Sequence, residues 1–218
     1  TPVVPTSTPT PTPSVTPTPG AGVCVAISNS TAIAIPDSGP ANPYPSNIVV
    51  SGAGGTITKV TVGLNGFGHT FPNDVDVLLV GPGGQNAIIM SDVGGTGAIS
   101  GINLLLDDAA ASAIPTTLTT SGTFQPTNSG TGDTFNAPAP TPLGGSALSI
   151  FNGTLPNGTW SLYVIDDVGG DLGSFTGGWS LNISTTNCSG PVPTPTPTPT
   201  PAPSPTPTPG CVPITQGF

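Results

Sequence analysis

Arginine and glutamate are absent from this 218-residue chain, and lysine and histidine occur once each, at Lys59 and His69. A net charge of −9 with a single lysine lacks the basic footprint that neutralises phosphates, which argues against nucleic acid and anionic membrane surfaces as partners. No apolar run approaches the roughly 18 residues that suggest a membrane span. The opening TPVVPTSTPT has neither the charged nor the apolar region of a signal peptide, so the chain reads as a mature, processed form.

Other absences remove whole classes of chemistry. One histidine and three cysteines, Cys24, Cys188 and Cys211, have no zinc-ligand spacing. There is no G-x-S-x-G to present a nucleophile, so a triad built on His69 is not expected. An imidazole placed just after a strand in GFGHTFPND more often fixes a turn by hydrogen bonding its backbone. The glycine clusters GAGG, GPGG and DVGGTG open no helix and precede no Lys or Arg, so they read as turns rather than phosphate cradles. Aromatics are only 5% of the chain. Trp160 alternates with Leu162 and Val164, and Trp179 with Leu181 and Ile183, the pattern of core anchors rather than of a sugar-binding platform. An enzyme is not expected.

Proline and threonine are plentiful. Residues 1–22 and 190–210 are Pro/Thr tracts in which alternate prolines fix φ and remove half the backbone donors, favouring polyproline II. The stretch from Pro191 to Pro209 would reach on the order of 60 Å at ~3.1 Å per residue. Its hydroxyls, Thr194, Thr196, Thr198 and Thr200 among them, suit O-glycosylation. Asn29, Asn152, Asn157, Asn182 and Asn187 each open an N-x-S/T sequon. These features together point to an extracellular or cell-surface protein.

Between the tracts, residues 23–189 read as one all-β domain. TITKVTVGL alternates Val60, Val62 and Leu64 with Lys59, Thr61 and Gly63, the period of a half-buried strand. NIVVSG, VDVLLVG, NAIIMSD, GINLLLDD, SALSIFNG, TWSLYVIDD and GWSLNIS are each bounded by Gly, Pro, Asn or Asp. Eight or nine such strands predict a jelly-roll-like β-sandwich.

The series from AIAIPD through NGFGHTFPNDVDVLLVGPGG to FNGTLPNGTWSLYVIDDVGGDLGSFTGGWSLNIS resembles the P domain, the β-sandwich that follows the catalytic domain in kexin- and furin-like proteases and recurs in secreted bacterial proteins. The likeness runs from about Ile33 to Ser184. It is carried by the His69-Thr70 pair with Asp74 and by the closing NGTWSLYVIDD and GWSLNIS. It implies a jelly-roll fold, secretion and a supporting, non-catalytic role. Bacterial members sometimes hold calcium, and Asp166, Asp167 and Asp171 in IDDVGGDLG, with Asp107 and Asp108 or Asp74 and Asp76, are hard oxygen ligands for a structural Ca²⁺. The plainer alternative is that these aspartates end strands and cap turns. No other cofactor is expected.

An odd cysteine count in a secreted chain leaves one thiol over, or paired between molecules. Joining Cys188 to Cys211 would double a stiff rod back on itself. Joining Cys24 to Cys188 staples the ends of the domain, a closure worth around 5 kcal/mol in the chain-entropy model. Cys211 then stands free, and Cys211, Val212 and Ile214 repeat Cys24, Val25 and Ile27. The peptide 211–218 thus looks like a first strand carried on a rigid arm, ready to add to a sheet on another subunit. Pro213 confines it to an edge. A head-to-tail contact of this kind that does not close generates a filament, so a glycosylated homopolymer is expected. The alternative is an accessory module cut from a larger secreted hydrolase.

Overall fold

The computed structural model describes residues 25–188. Both Pro/Thr tracts, Cys24, Cys211, Val212, Ile214, Thr194, Thr196, Thr198 and Thr200 lie outside the described residues. The strands are β1 (Val25–Asn29), β2 (Ile33–Ile35), β3 (Gly39–Pro40), β4 (Ser46–Val50), β5 (Ile57–His69), β6 (Val75–Val80), β7 (Asn86–Ser91), β8 (Ile99–Leu106), β9 (Gly122–Phe124), β10 (Thr127–Asn128), β11 (Gly158–Asp166), β12 (Gly173–Phe175) and β13 (Trp179–Thr185). Two 3-10 turns, Pro72–Asp74 and Leu148–Phe151, complete the set.

They form an all-β sandwich of two sheets. In the first, the 13-residue β5 is the spine: β8 and then β9 lie on one side. On its other side β13 pairs with the first part of β5 and β12 with its end, followed outward by β1 and β2 respectively. The second sheet runs β10-β7-β6-β11, with β4 and β3 end to end along the far side of β11. Two short pairings, β8 with β9 and β10 with β7, are parallel, so both sheets are mixed.

The core follows the strand alternation. Val62, Leu64, Leu181 and Ile183 from one sheet meet Val77, Leu79, Leu162 and Val164 from the other. Trp160 and Trp179 are wholly enclosed. Each buried indole satisfies its N–H: Trp160 donates to the Pro156 carbonyl at 3.0 Å and Trp179 to Ser46 Oγ at 3.0 Å.

One segment departs from the sequence reading. SALSIFNG is not a strand but the Leu148–Phe151 turn. Its two fully buried residues, Leu148 and Phe151, are three apart, the repeat of a 3-10 turn, and Phe151 packs on Trp160 at 4.9 Å between ring centres. The near-continuous apolar run VDVLLV has its own cause. β6 is covered on both faces: Leu78 joins Ile88 and Tyr163 in a second small cluster on the outer side, beneath Tyr44, Phe135 and Ala139. Tyr44 Oη ties this cover down by donating to the Asn136 carbonyl at 2.9 Å.

Candidate functional site

His69 reaches the interior through a slip in β5. Val60, Val62 and Leu64 face inward at even positions, and then the register against β8 shifts between Leu64 and Phe67. Gly66 sits at φ 67° in that interval, a conformation glycine adopts without steric cost. Beyond it the odd positions face inward, so Phe67 and His69 are buried, and Phe67 stacks on Phe175 at 4.7 Å. The strand β12 then passes so closely that a Cβ at Gly173 would strike the Gly68 carbonyl and the His69 ring.

The imidazole is committed on both sides. Phe71 N–H donates to His69 Nδ1 at 3.2 Å, which places the proton of a neutral ring on Nε2. Nε2 in turn lies 3.1 Å from Asp166 Oδ2, both side chains fully enclosed. The contact is off the axis of a straight hydrogen bond, and neither atom makes one elsewhere among the described residues. We read it as an electrostatic pairing. A ring so enclosed offers no face to a substrate.

Around this pair lies a concentration of acid. Asp74, Asp76, Asp92, Asp133, Asp166, Asp167 and Asp171 act on one another electrostatically, and no lysine or arginine is among them. Burial pushes the Asp76 carboxyl up to about 7, with the charges of Asp133, Asp167 and Asp92 adding to it and the Ser91 hydroxyl opposing it. Its Oδ2 is buried without a hydrogen bond. Burial and then the charges of Asp166, Asp167 and Asp171 raise Asp74 to about 6. Asp92, Asp166 and Asp167 are raised too, chiefly by burial.

The three aspartates expected to hold calcium are placed differently. Where β11 ends, Asp166 turns inward to His69 and Asp167 outward to solvent, the alternation of any strand, while Asp171 is half-buried in the following loop. Asp166 Oδ1 accepts the Val168 N–H at 3.1 Å, and the Asp167 N–H donates to the Asp74 carbonyl at 3.0 Å. Among the described residues no group of three or more His, Cys, Asp or Glu side chains is arranged to hold a metal ion. Asp107 and Asp108 serve local structure at a separate place. Asp107 pairs with Lys59 at 2.7 Å and accepts the Ala109 N–H. Asp108 accepts the N–H groups of Leu148 and Ser149 at 2.9 and 2.8 Å.

The sequon asparagines divide. Asn29, Asn157 and Asn182 spend their amides on the protein, on the Asn47 carbonyl, the Ala53 backbone and Thr61 Oγ1 respectively. Asn152 and Asn187 are exposed, as is Asn157 despite its bonds to Ala53. Cys188 is buried and disulfide-bonded, with its Sγ accepting the Thr185 N–H at 2.9 Å. Both other cysteines lie outside the described residues, so the Cys24–Cys188 pairing stays an expectation. β1, which directly follows Cys24, is an edge strand that pairs, among the described residues, only with β13.

Comparison with protein-family models, with curated proteins and with solved structures finds no match to this chain. No helix among the described residues is long and apolar enough to cross a membrane.

Proposed function

We propose that this chain is a non-catalytic, secreted structural protein, the protomer of an extracellular or cell-surface fibre assembled head to tail through its Pro/Thr arms and C-terminal peptide. One observation carries the reading: the segment after Cys24, whose sequence recurs after Cys211, is an edge strand, β1. A peptide with the same spacing of Cys, Val and Ile at the far end of a stiff tract has the composition to occupy an edge of the same kind on another subunit. The enclosed His69, which leaves the described residues without an accessible general base of that type, fits a structural role. Glycans on the tracts would stiffen the arms, and Asn152, Asn157 and Asn187 are the sequon asparagines exposed at the surface.

The test is electron microscopy of the native material together with a variant lacking residues 210–218. Regular filaments are expected from the full chain, and discrete folded particles from the truncation. Monodisperse particles from the full chain would sink the reading. They would favour the second one, an accessory P-domain-like module of a larger secreted hydrolase, which rests on the NGTWSLYVIDD and GWSLNIS likeness. A fold alone decides neither.

A further inference from the structure

The hydrogen-bond phase of β13 fixes which residues of β1 are needed. Asn65 N–H donates to the Gly178 carbonyl at 3.0 Å, one step beyond the Leu64↔Trp179 register pair. Alternation then turns the backbone groups of Ser180 and Asn182 toward β5, and those of Trp179, Leu181 and Ile183 toward β1. Given the pairs Val25↔Ile183, Ile27↔Leu181 and Asn29↔Trp179, the bonded residues of β1 are Val25, Ile27 and Asn29. The N–H groups of Ala26 and Ser28 face the open edge.

The C-terminal segment meets this pattern residue by residue. Cys211, Val212, Pro213, Ile214, Thr215 and Gln216 stand in the order of Cys24, Val25, Ala26, Ile27, Ser28 and Asn29. Its proline falls on the Ala26 position, where an N–H makes no bond to β13 and its loss costs nothing. Val212 and Ile214 fall on the positions that face the core side. Gln216 replaces Asn29 with the same amide, which in β1 donates to the Asn47 carbonyl at 3.0 Å. β1 itself is lightly held: Ala26, Ile27 and Ser28 are exposed, and only Val25 touches the main core.

From this we infer that the seat of β1 on β13 is the acceptor site for residues 211–216 of a second copy, which replace β1 in the register Val212↔Ile183, Ile214↔Leu181 and Gln216↔Trp179. This rests on the fibre reading and adds to it the site and the register. The cysteines balance without an oxidant. With Cys24 bonded to Cys188, the Cys211 thiolate attacks Cys188 Sγ, the Cys211–Cys188 bond forms as the Cys24–Cys188 bond breaks, and Cys24 leaves as a thiolate that takes up the proton Cys211 gave. One thiol and one disulfide per subunit are kept.

The experiment uses the full chain with Ser180→Cys and Thr215→Cys together. Replacement makes these a directly opposed, non-hydrogen-bonded pair about 4.5 Å apart at Cα, within disulfide reach. Filaments oxidised mildly should give a ladder of covalent multimers, with a disulfide between positions 180 and 215 found by peptide mapping. Thr215→Cys with Ser28→Cys should give no such link. Filaments that link position 215 to position 28, or to neither, overturn the replacement and leave the fibre reading standing; a wild-type chain that never forms filaments overturns both. Proline variants give a second measure that does not need cross-linking. Ile214→Pro, which removes a bonding N–H, should raise the critical concentration at least about tenfold, and Thr215→Pro, at an outward N–H, less than about twofold. Equal effects of the two would also overturn the register.

Discussion

His69 Nε2 and Asp166 Oδ2 face each other at 3.1 Å inside the sandwich, and both side chains are cut off from solvent. They join the end of β5 to the end of β11, one from each sheet. Removing one member leaves the other buried without its partner, which costs more than the pair contributes net. His69→Ala also strands the Phe71 N–H that Nδ1 accepts. We expect His69→Ala to lower the unfolding free energy by about 3 kcal/mol in chemical denaturation. In a double-mutant cycle, His69→Gln and Asp166→Asn should couple by about 1 kcal/mol or more. Additive losses would show that the two side chains stabilise the fold separately.

The acidic end of the molecule sets a pH dependence of unusual sign. Asp76, raised to about 7, and Asp74, raised to about 6, hold their protons more tightly in the folded chain than in the unfolded one. Between pH 4 and 7 the native state therefore binds more protons than the unfolded state, and stability falls as pH rises. The contribution is fully present below about pH 4, the unfolded carboxyl value, and is lost as pH passes the folded values. Thermal melts should accordingly peak on the acid side of neutrality. Asp76→Asn should flatten the slope between pH 5 and 7 and stabilise the protein at pH 8, by up to about 4 kcal/mol if the whole shift is realised. A wild-type melting temperature that rises steadily to pH 8 would contradict this.

Much of this architecture is legible in the chain. The alternation of Val60, Val62 and Leu64 and the flanking turn residues reveal a half-buried strand, and the two tryptophans sit in the core as their apolar neighbours suggest. What hides from sequence is any feature set by tertiary contact or by a change of phase. His69 shares the odd phase of Lys59 and Thr61, which a uniform strand would turn outward, and only the slip at Gly66 brings it inside. Asp166 and Asp167 look alike in IDD, but strand alternation sends them to opposite environments. Leu148 and Phe151 read as part of a short strand because a single 3-10 turn is too brief to show a period.

That turn owes its place to an aspartate. Asp108 holds the N–H groups of Leu148 and Ser149, one on each carboxylate oxygen, and the turn in turn seats Phe151 against Trp160. Asp108→Ala leaves two donors to water or to nothing, with an expected cost of about 1–2 kcal/mol, the scale of a helix N-cap. Asp108→Asn keeps one acceptor and should lose roughly half as much. Hydrogen exchange at Leu148 and Ser149 is the local check: both amides should lose protection in Asp108→Ala while those of β11 keep theirs.

The slip in β5 makes a sharper demand. Gly66 holds φ at 67°, its N–H donates to Asn103 Oδ1 at 2.7 Å, and its carbonyl accepts both the N–H and the hydroxyl of Thr176 at 3.1 Å. A Cβ at this position would collide with Thr176 Oγ1. Gly66→Ala therefore combines backbone strain with overpacking, and should cost about 2–3 kcal/mol in chemical denaturation. In a Thr176→Ala background the worst collision is gone, the Gly177 nitrogen at 3.1 Å remaining the tightest contact, and the same substitution should cost chiefly the backbone part, about 1 kcal/mol. Deleting Gly66 is a different perturbation, because it removes the extra residue rather than straining it. With one residue fewer, uniform alternation carries Phe67 and His69 to the same side as Val60, Val62 and Leu64, so both halves of β5 keep their inward faces. The deletion variant should therefore unfold cooperatively, at lower stability because the bonds that Gly66 makes to Asn103 and Thr176 are lost. A deletion variant with no cooperative transition would show that the neighbouring strands need the bulge itself, and not only the phase it sets.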